Sequence, residues 1–117
     1  MATYTKRCLS DSTNGTGIKV AATSTAGTTI RTAVAGTDDW DEVWLYCVNS
    51  SAADVKLTIE WGEATAPDGN IEKTIPAESG LYCVIPGLII QNELVIAAFA
   101  GSADVLVMHG FVNRITA

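Results

Sequence analysis

The single histidine is the first residue to consider for chemistry, because an imidazole can transfer protons near neutral pH. His109 lies between Val107 and Phe111 in an alternating segment, with no second histidine and no carboxylate at ligand spacing. Serines and threonines are abundant, but none lies in a GxSxG motif that a strand histidine would activate. The sequence therefore favours a packed or interfacial histidine and no enzyme. The alternative is a small hydrolase with His109 beside a serine or a carboxylate.

Four carboxylates surround Trp40, namely Asp38, Asp39, Asp41 and Glu42. Hard oxygen ligands of this kind could hold Ca²⁺ if the loop folded back on itself. The spacing of an EF-hand is absent, and runs of like charge usually repel one another and stay hydrated. We therefore expect a hydrated acidic loop and no cofactor, with Ca²⁺ binding as the alternative.

The three tryptophans could form a stacking platform for sugars or bases. Trp61 belongs to an alternating apolar set and Trp44 lies in a segment that is apolar throughout, which favours core packing for both. Trp40 alone is expected to be free to meet a partner.

The three cysteines are widely spaced, and none forms a CxxC pair. Neither a disulfide framework nor a zinc site is indicated, and the pattern fits a reducing compartment. Cys47 and Cys83 lie in apolar segments, where we expect small buried hydrophobic residues, as unpaired cysteines usually are. Cys8 lies in the polar N-terminal part.

Two patterns predict the strands that must position these residues. Residues 43–48 are apolar throughout, as in a central strand covered on both faces. Residues 55–61 alternate between apolar and polar side chains, as in a strand with one hydrated face. The most apolar region, Leu81–Ala100, contains Pro86-Gly87 and several polar residues, so we expect two strands with a kink rather than a membrane helix.

No amphipathic helical pattern continues for more than one turn. About eight short strands joined by turn signals predict an all-β fold, an antiparallel β-sandwich or jelly-roll-like barrel with essentially no helix. The chain is expected to form one domain overall. Within it, residues 1–37 are an extended N-terminal β segment or arm, and residues 38–117 are the sandwich body.

The charge and composition limit the partners. Hydrophobic residues make up 48% and charged residues 17% of the chain, so we expect part of the surface to be covered by other proteins. The formal charge is −6, which repels nucleic acid. The polar N-terminal residues lead into no apolar segment of the kind that a secretion signal needs, so we expect no export by that route and no membrane contact.

As a whole, the chain resembles small proteins encoded among the virion genes of tailed bacteriophages. The stretches that carry the likeness are Leu9–Gly15, Ile18–Thr23, Leu57–Gly62, Ile85–Leu88 and Gly110–Ile115. None of these stretches is a catalytic motif. The resemblance implies a structural component of the particle, a head decoration or cement protein on the capsid surface, assembled in the bacterial cytoplasm. The implied partners are the major capsid protein and further copies of the chain, as a trimer.

The sequence and the resemblance together predict a domain that is stabilised by neighbouring subunits, with the N-terminal segment reaching to one of them. The candidate partner contacts are Tyr4, Lys6, Arg7, Arg31, Trp40 and His109. The alternative is a β-module of a tail, fibre or baseplate that recognises a host glycan through exposed aromatic side chains.

Overall fold

The structure is a computed structural model that describes residues 2–78 and 80–116. Met1, Ser79 and Ala117 lie outside the described residues. The first residue of the predicted segment 1–37 and the last residue of the predicted segment 38–117 are therefore not described. The strands are β1 (Thr3–Cys8), β2 (Ile18–Lys19), β3 (Thr28–Thr32), β4 (Trp40–Asn49), β5 (Val55–Trp61), β6 (Asn70–Ile75), β7 (Leu81–Ile90), β8 (Val95–Ala100) and β9 (Leu106–Thr116). The described residues contain no helix, and hence none long and apolar enough to cross a membrane. The predicted all-β class is confirmed.

Two antiparallel sheets pack together as a β-sandwich. Sheet 1 has the order β1-β9-β4-β7, and sheet 2 has the order β3-β8-β5-β6. The short strand β2 also pairs with β9, next to the segment that pairs with β1. The long strands β4 and β9 therefore lie side by side in the middle of sheet 1.

The core lies between the two sheets and is built by alternation along the strands. In β4, Val43, Leu45 and Cys47 point inward and are fully buried. Trp44 and Tyr46 point to the other side of the sheet and are half-buried. The central position predicted for this strand is confirmed, but only its inner face is covered by the opposite sheet.

The N-terminal third contributes to both sheets. Leu9, Ile18, Val20 and Ile30 are all buried in the common core. By contrast, all six residues of β1 are exposed. The extended segment is thus built into the sandwich, and β1 is the part that lies outermost.

Part of the outer face of sheet 2 is covered by a loop. Thr58 and Glu60 occupy the polar positions of β5, yet they are only 2% and 3% exposed. Glu60 accepts hydrogen bonds from Thr25 and Gly27, which belong to the loop before β3. The alternation predicted for β5 is confirmed, but the prediction that its polar face is hydrated is wrong at these two positions.

The apolar region 81–100 forms two strands with a bulge, as predicted. Pairing between β7 and β4 shifts register around Pro86-Gly87. Gly87 has a φ of +86°, and a Cβ at this position would lie 2.9 Å from the Trp44 ring. A glycine is therefore required here, because the bulge brings the backbone of β7 against an aromatic side chain.

Candidate docking face

The outer face of sheet 1 is made of five rows of side chains that run across the strands. The rows are Tyr4–Ile115–Trp40, Lys6–Asn113–Glu42–Ile89, Cys8–Phe111–Trp44–Pro86, His109–Tyr46–Cys83 and Val107–Val48–Leu81. We call this surface the docking face. The pairing of the strands assigns these residues to one surface, because side chains at paired positions of neighbouring strands share one face of the sheet.

The docking face is nearly uncharged. Lys6 and Glu42 are the charged residues in the five rows, and Lys19 of β2 lies beside Val107 at the last row. The chain as a whole carries a formal charge of −6. Its acidic groups therefore lie mostly elsewhere on the molecule.

Glu42 and Lys6 are each paired with other residues of the docking face. The Trp44 indole N–H donates to Glu42 Oε1 at 2.8 Å, and the Asn113 amide donates to the same oxygen at 3.0 Å. These two hydrogen bonds lower the pKa of Glu42 below its ordinary value. The Lys6 ammonium lies 4.6 Å from the centroid of the Phe111 ring, in a cation–π contact.

Two aromatic rings form the centre of the docking face. The Trp44 and Phe111 rings lie on neighbouring strands with their planes at 12° and their centroids 6.2 Å apart. Both side chains are half-buried by the residues around them. The pair is therefore held in place before any partner arrives, which lowers the entropic cost of binding.

The edges of the docking face expose large apolar side chains. Tyr4, Leu81 and Ile89 are each more than half exposed, and Trp40 is 38% exposed. From the spacing of strands and residues, four strands and five rows span roughly 14 Å by 27 Å. The largest apolar patch of a soluble monomer is typically about 300–600 Å² and is often functional, so a face of this size is a candidate protein interface.

A buried ion-pair cluster lies beneath one end of the docking face. Asp41 is fully buried on the inner side of β4 and accepts hydrogen bonds from Arg31 at 2.9 Å and Arg114 at 2.8 Å. It also accepts the backbone N–H of Val34 at 3.0 Å. Burial alone would raise the pKa of Asp41, but the two arginines outweigh it and hold that pKa below its ordinary value.

This cluster connects the two sheets. Arg31 lies on β3 of sheet 2, whereas Asp41 and Arg114 lie on β4 and β9 of sheet 1. Arg31 also donates to the carbonyl of Cys8 at 3.2 Å, which fixes the end of β1. Trp40 and Glu42 of the docking face flank Asp41 in sequence, so the cluster fixes the strand that carries them.

The structure separates the acidic residues that the sequence grouped as a hydrated loop or Ca²⁺ site. Asp41 points into the core and Glu42 points to the docking face, so their carboxylates diverge. The prediction of a hydrated acidic loop is wrong for Asp41. Within residues 2–78 and 80–116, no group of three or more His, Cys, Asp or Glu side chains is arranged to hold a metal ion.

Four of the six candidate contacts lie on the docking face. Tyr4 and Lys6 come from β1, Trp40 from β4 and His109 from β9. Arg7 is exposed but occupies a position of β1 that faces the other side of the sheet. The sixth candidate, Arg31, is 6% exposed and bound to Asp41, so its guanidinium is not available at the surface.

Two further sequence predictions need correction. Trp44 was expected in the core but lies at the centre of the docking face, because β4 has its outer side open. Cys83 was expected to be buried but is exposed on the same face, whereas Cys47 is buried as predicted. Residues 43–48 are apolar throughout, so the sequence could not indicate which side of β4 would be left uncovered.

Comparison with protein-family models, with curated proteins and with solved structures found no match for this chain.

Proposed function

We propose that the protein is a structural assembly subunit that attaches to other proteins through the docking face. The observation that carries this proposal is the broad, nearly neutral aromatic surface on the outer side of sheet 1. A nearly neutral face on an acidic molecule lets subunits approach without bringing their negative charges together. The buried cluster around Asp41 and the Trp44–Phe111 pair supply a rigid support for it.

The particular role that we propose is that of a decoration or cement protein on the head of a tailed bacteriophage. The resemblance of the sequence to small virion proteins supports this role, and so does a sandwich with one broad apolar outer face. In this role the docking face contacts the major capsid protein or a second copy of the chain. The protein stabilises the lattice and catalyses no reaction.

The test is to bind purified protein to heads that lack it, from the phage that encodes the chain, and to measure occupancy by sedimentation. The variants are Ile89→Lys and Leu81→Lys, at two exposed positions of the docking face. Burying an unpaired ammonium in an interface is costly, so we expect binding to weaken about tenfold or more for each.

The matched control is Thr74→Lys, which adds the same charge at an exposed position of β6 in sheet 2. We expect this variant to bind like the original protein. Equal occupancy for all three variants would contradict the proposal, and so would a selective loss caused by Thr74→Lys.

A second candidate function is recognition of a host glycan by a tail, fibre or baseplate module. Trp40 and Trp44 lie on the same face as the Glu42–Asn113 pair, and aromatic rings beside polar groups are the chemistry of a sugar site. Under this alternative, Trp40→Ala removes binding on a glycan array. Under the assembly proposal, the protein binds no glycan and Trp40→Ala weakens attachment to heads.

A further inference from the structure

A pocket opens on the outer side of sheet 2, on the sheet opposite the docking face. Its volume is about 220 Å³, and it lies between the loop before β3 and the strands β5 and β8. Small residues leave this space free, among them Gly27, Gly62 and Ala97, while Val95 adds an apolar wall. The pocket is also lined by two acidic residues, Glu60 and Glu63.

Glu60 is a buried acid without a basic partner in the described part of the chain. Its side chain accepts hydrogen bonds from the Gly27 backbone N–H at 2.7 Å and from the Thr25 hydroxyl at 2.8 Å. Both donors are neutral. The ion pairs formed by residues 2–78 and 80–116 involve Asp41 and Glu72, and none of them involves Glu60.

A buried carboxylate is costly unless a cation compensates it, so its place in a pocket indicates what the pocket can bind. Glu63 adds a second negative group at the exposed side of the pocket. No Lys, Arg or His is among the residues that line it. The combination of carboxylates, an apolar wall and free volume matches an alkyl chain that ends in a positive charge.

We propose that this pocket binds a cationic alkyl group, an ammonium or guanidinium at the end of a short apolar chain. The charged end compensates Glu60, and the methylene groups pack against Val95 and Ala97. Such a group occurs in the lysine or arginine side chain of a partner protein and in free small amines. The proposal does not depend on the docking face, because the two features lie on opposite sheets.

The test is an NMR titration of the ¹⁵N-labelled protein, with the amide signals of Gly27, Gly62 and Ala97 as reporters. The probes are n-butylammonium, n-butanol and butyrate, which are similar in size and differ in charge. We expect saturable shifts with n-butylammonium, and binding at least about tenfold weaker for the other two, because only the ammonium carries a charge opposite to that of a carboxylate. Equal binding of the three probes, or none by the cation, would overturn the proposal.

The variant Glu60→Gln keeps the shape of the side chain and removes its charge. We expect it to weaken n-butylammonium binding about tenfold or more. The control, Glu72→Gln, removes an exposed carboxylate of β6 outside the pocket and should change nothing. Unchanged affinity in Glu60→Gln would reject the site. The comparison of the three probes on the original protein stands even if this variant does not fold.

A further arm of the titration distinguishes the two sources of the cation. N-acetyl-lysine methylamide carries the same ammonium on a peptide-like backbone. Binding comparable to that of n-butylammonium assigns the pocket to a side chain of a partner protein. Binding of the free amine alone assigns it to a small-molecule amine.

Discussion

Asp41 shows how much a single side chain can contribute to this fold. It is the one carboxylate that Arg31 and Arg114 share, and these three residues lie on three strands of two sheets. Removing one partner of a buried ion pair leaves the other charges uncompensated. The residue that a sequence pattern places in an acidic loop is therefore a main connection between the sheets.

We expect Asp41→Asn to lower the free energy of unfolding by about 3–5 kcal/mol, because two arginines then lose their shared carboxylate. Urea denaturation measures the change. The control is Asp38→Asn, at an exposed position two residues before the strand, where we expect less than about 0.5 kcal/mol. Similar losses in both variants would contradict the role given to Asp41.

The pH dependence of stability follows from the lowered pKa of Asp41. The folded protein binds a proton at this group less readily than the unfolded chain does. The stabilisation is therefore fully present above about pH 4, the ordinary value for aspartate, and is lost as the pH falls through the lower folded value. Glu42 acts in the same direction.

Urea midpoints measured between about pH 6 and pH 2 should therefore fall toward acid, and the fall should be smaller in Asp41→Asn. Stability that rises on acidification, or an identical fall in the variant, would contradict this account of the ion-pair cluster.

The cysteines should differ in reactivity. Burial raises the pKa of the Cys47 thiol to about 12, whereas Cys8 and Cys83 are exposed. Because the thiolate is the reactive form, iodoacetamide at mild alkaline pH should label Cys8 and Cys83 in the folded protein and Cys47 only after denaturation. Mass spectrometry of digested samples identifies the labelled cysteines. Labelling of Cys47 in the folded protein, at a rate similar to that of Cys8 and Cys83, would contradict its place in the core.

Among the elements, the contact between β4 and β9 supports the docking face. These strands pair from Trp40–Ile115 to Asn49–Leu106, and their outward side chains supply its centre. Gly110 lies opposite Leu45 with a φ of +153°, and a Cβ at this position would collide with the carbonyl oxygen of Trp44. The close approach of the strands depends on this glycine.

Gly110→Ala should therefore lower the free energy of unfolding by about 2 kcal/mol or more, since the strands must separate to admit a methyl group. Gly101→Ala is the control, because a Cβ there meets no atom closer than 3.9 Å. Thermal unfolding followed by circular dichroism compares the two variants. A stable Gly110→Ala protein with unchanged Trp44 fluorescence would contradict the tight pairing.

The elements also show what the sequence could and could not predict. Alternation in residues 55–61 and the Pro86-Gly87 kink depend on local chemistry, so the strand and the bulge were predictable. Which face of β4 stays open depends on where the second sheet lies, which is a matter of topology. The Arg31–Asp41 pair and the burial of Glu60 depend on contacts between distant residues, so they gave no signal in the sequence.

For the whole molecule, the distribution of charge and of apolar side chains gives the sandwich two different sides. Sheet 1 presents a nearly neutral aromatic face, and sheet 2 presents a face that is partly covered by a loop and contains an acidic pocket. The low content of charged residues led us to expect a covered surface, and the nearly uncharged part of the surface is the outer face of sheet 1. Under the proposed function, such a subunit binds in one orientation, with sheet 1 toward its neighbour.

The most direct test of this account is a cryo-electron microscopy reconstruction of the phage particle at a resolution that separates the two sheets. The account predicts that the Trp44–Phe111 side of sheet 1 is buried against the capsid protein or another copy of this chain. A particle in which that face is open to solvent while sheet 2 contacts the shell would contradict it, as would a head that does not contain the protein.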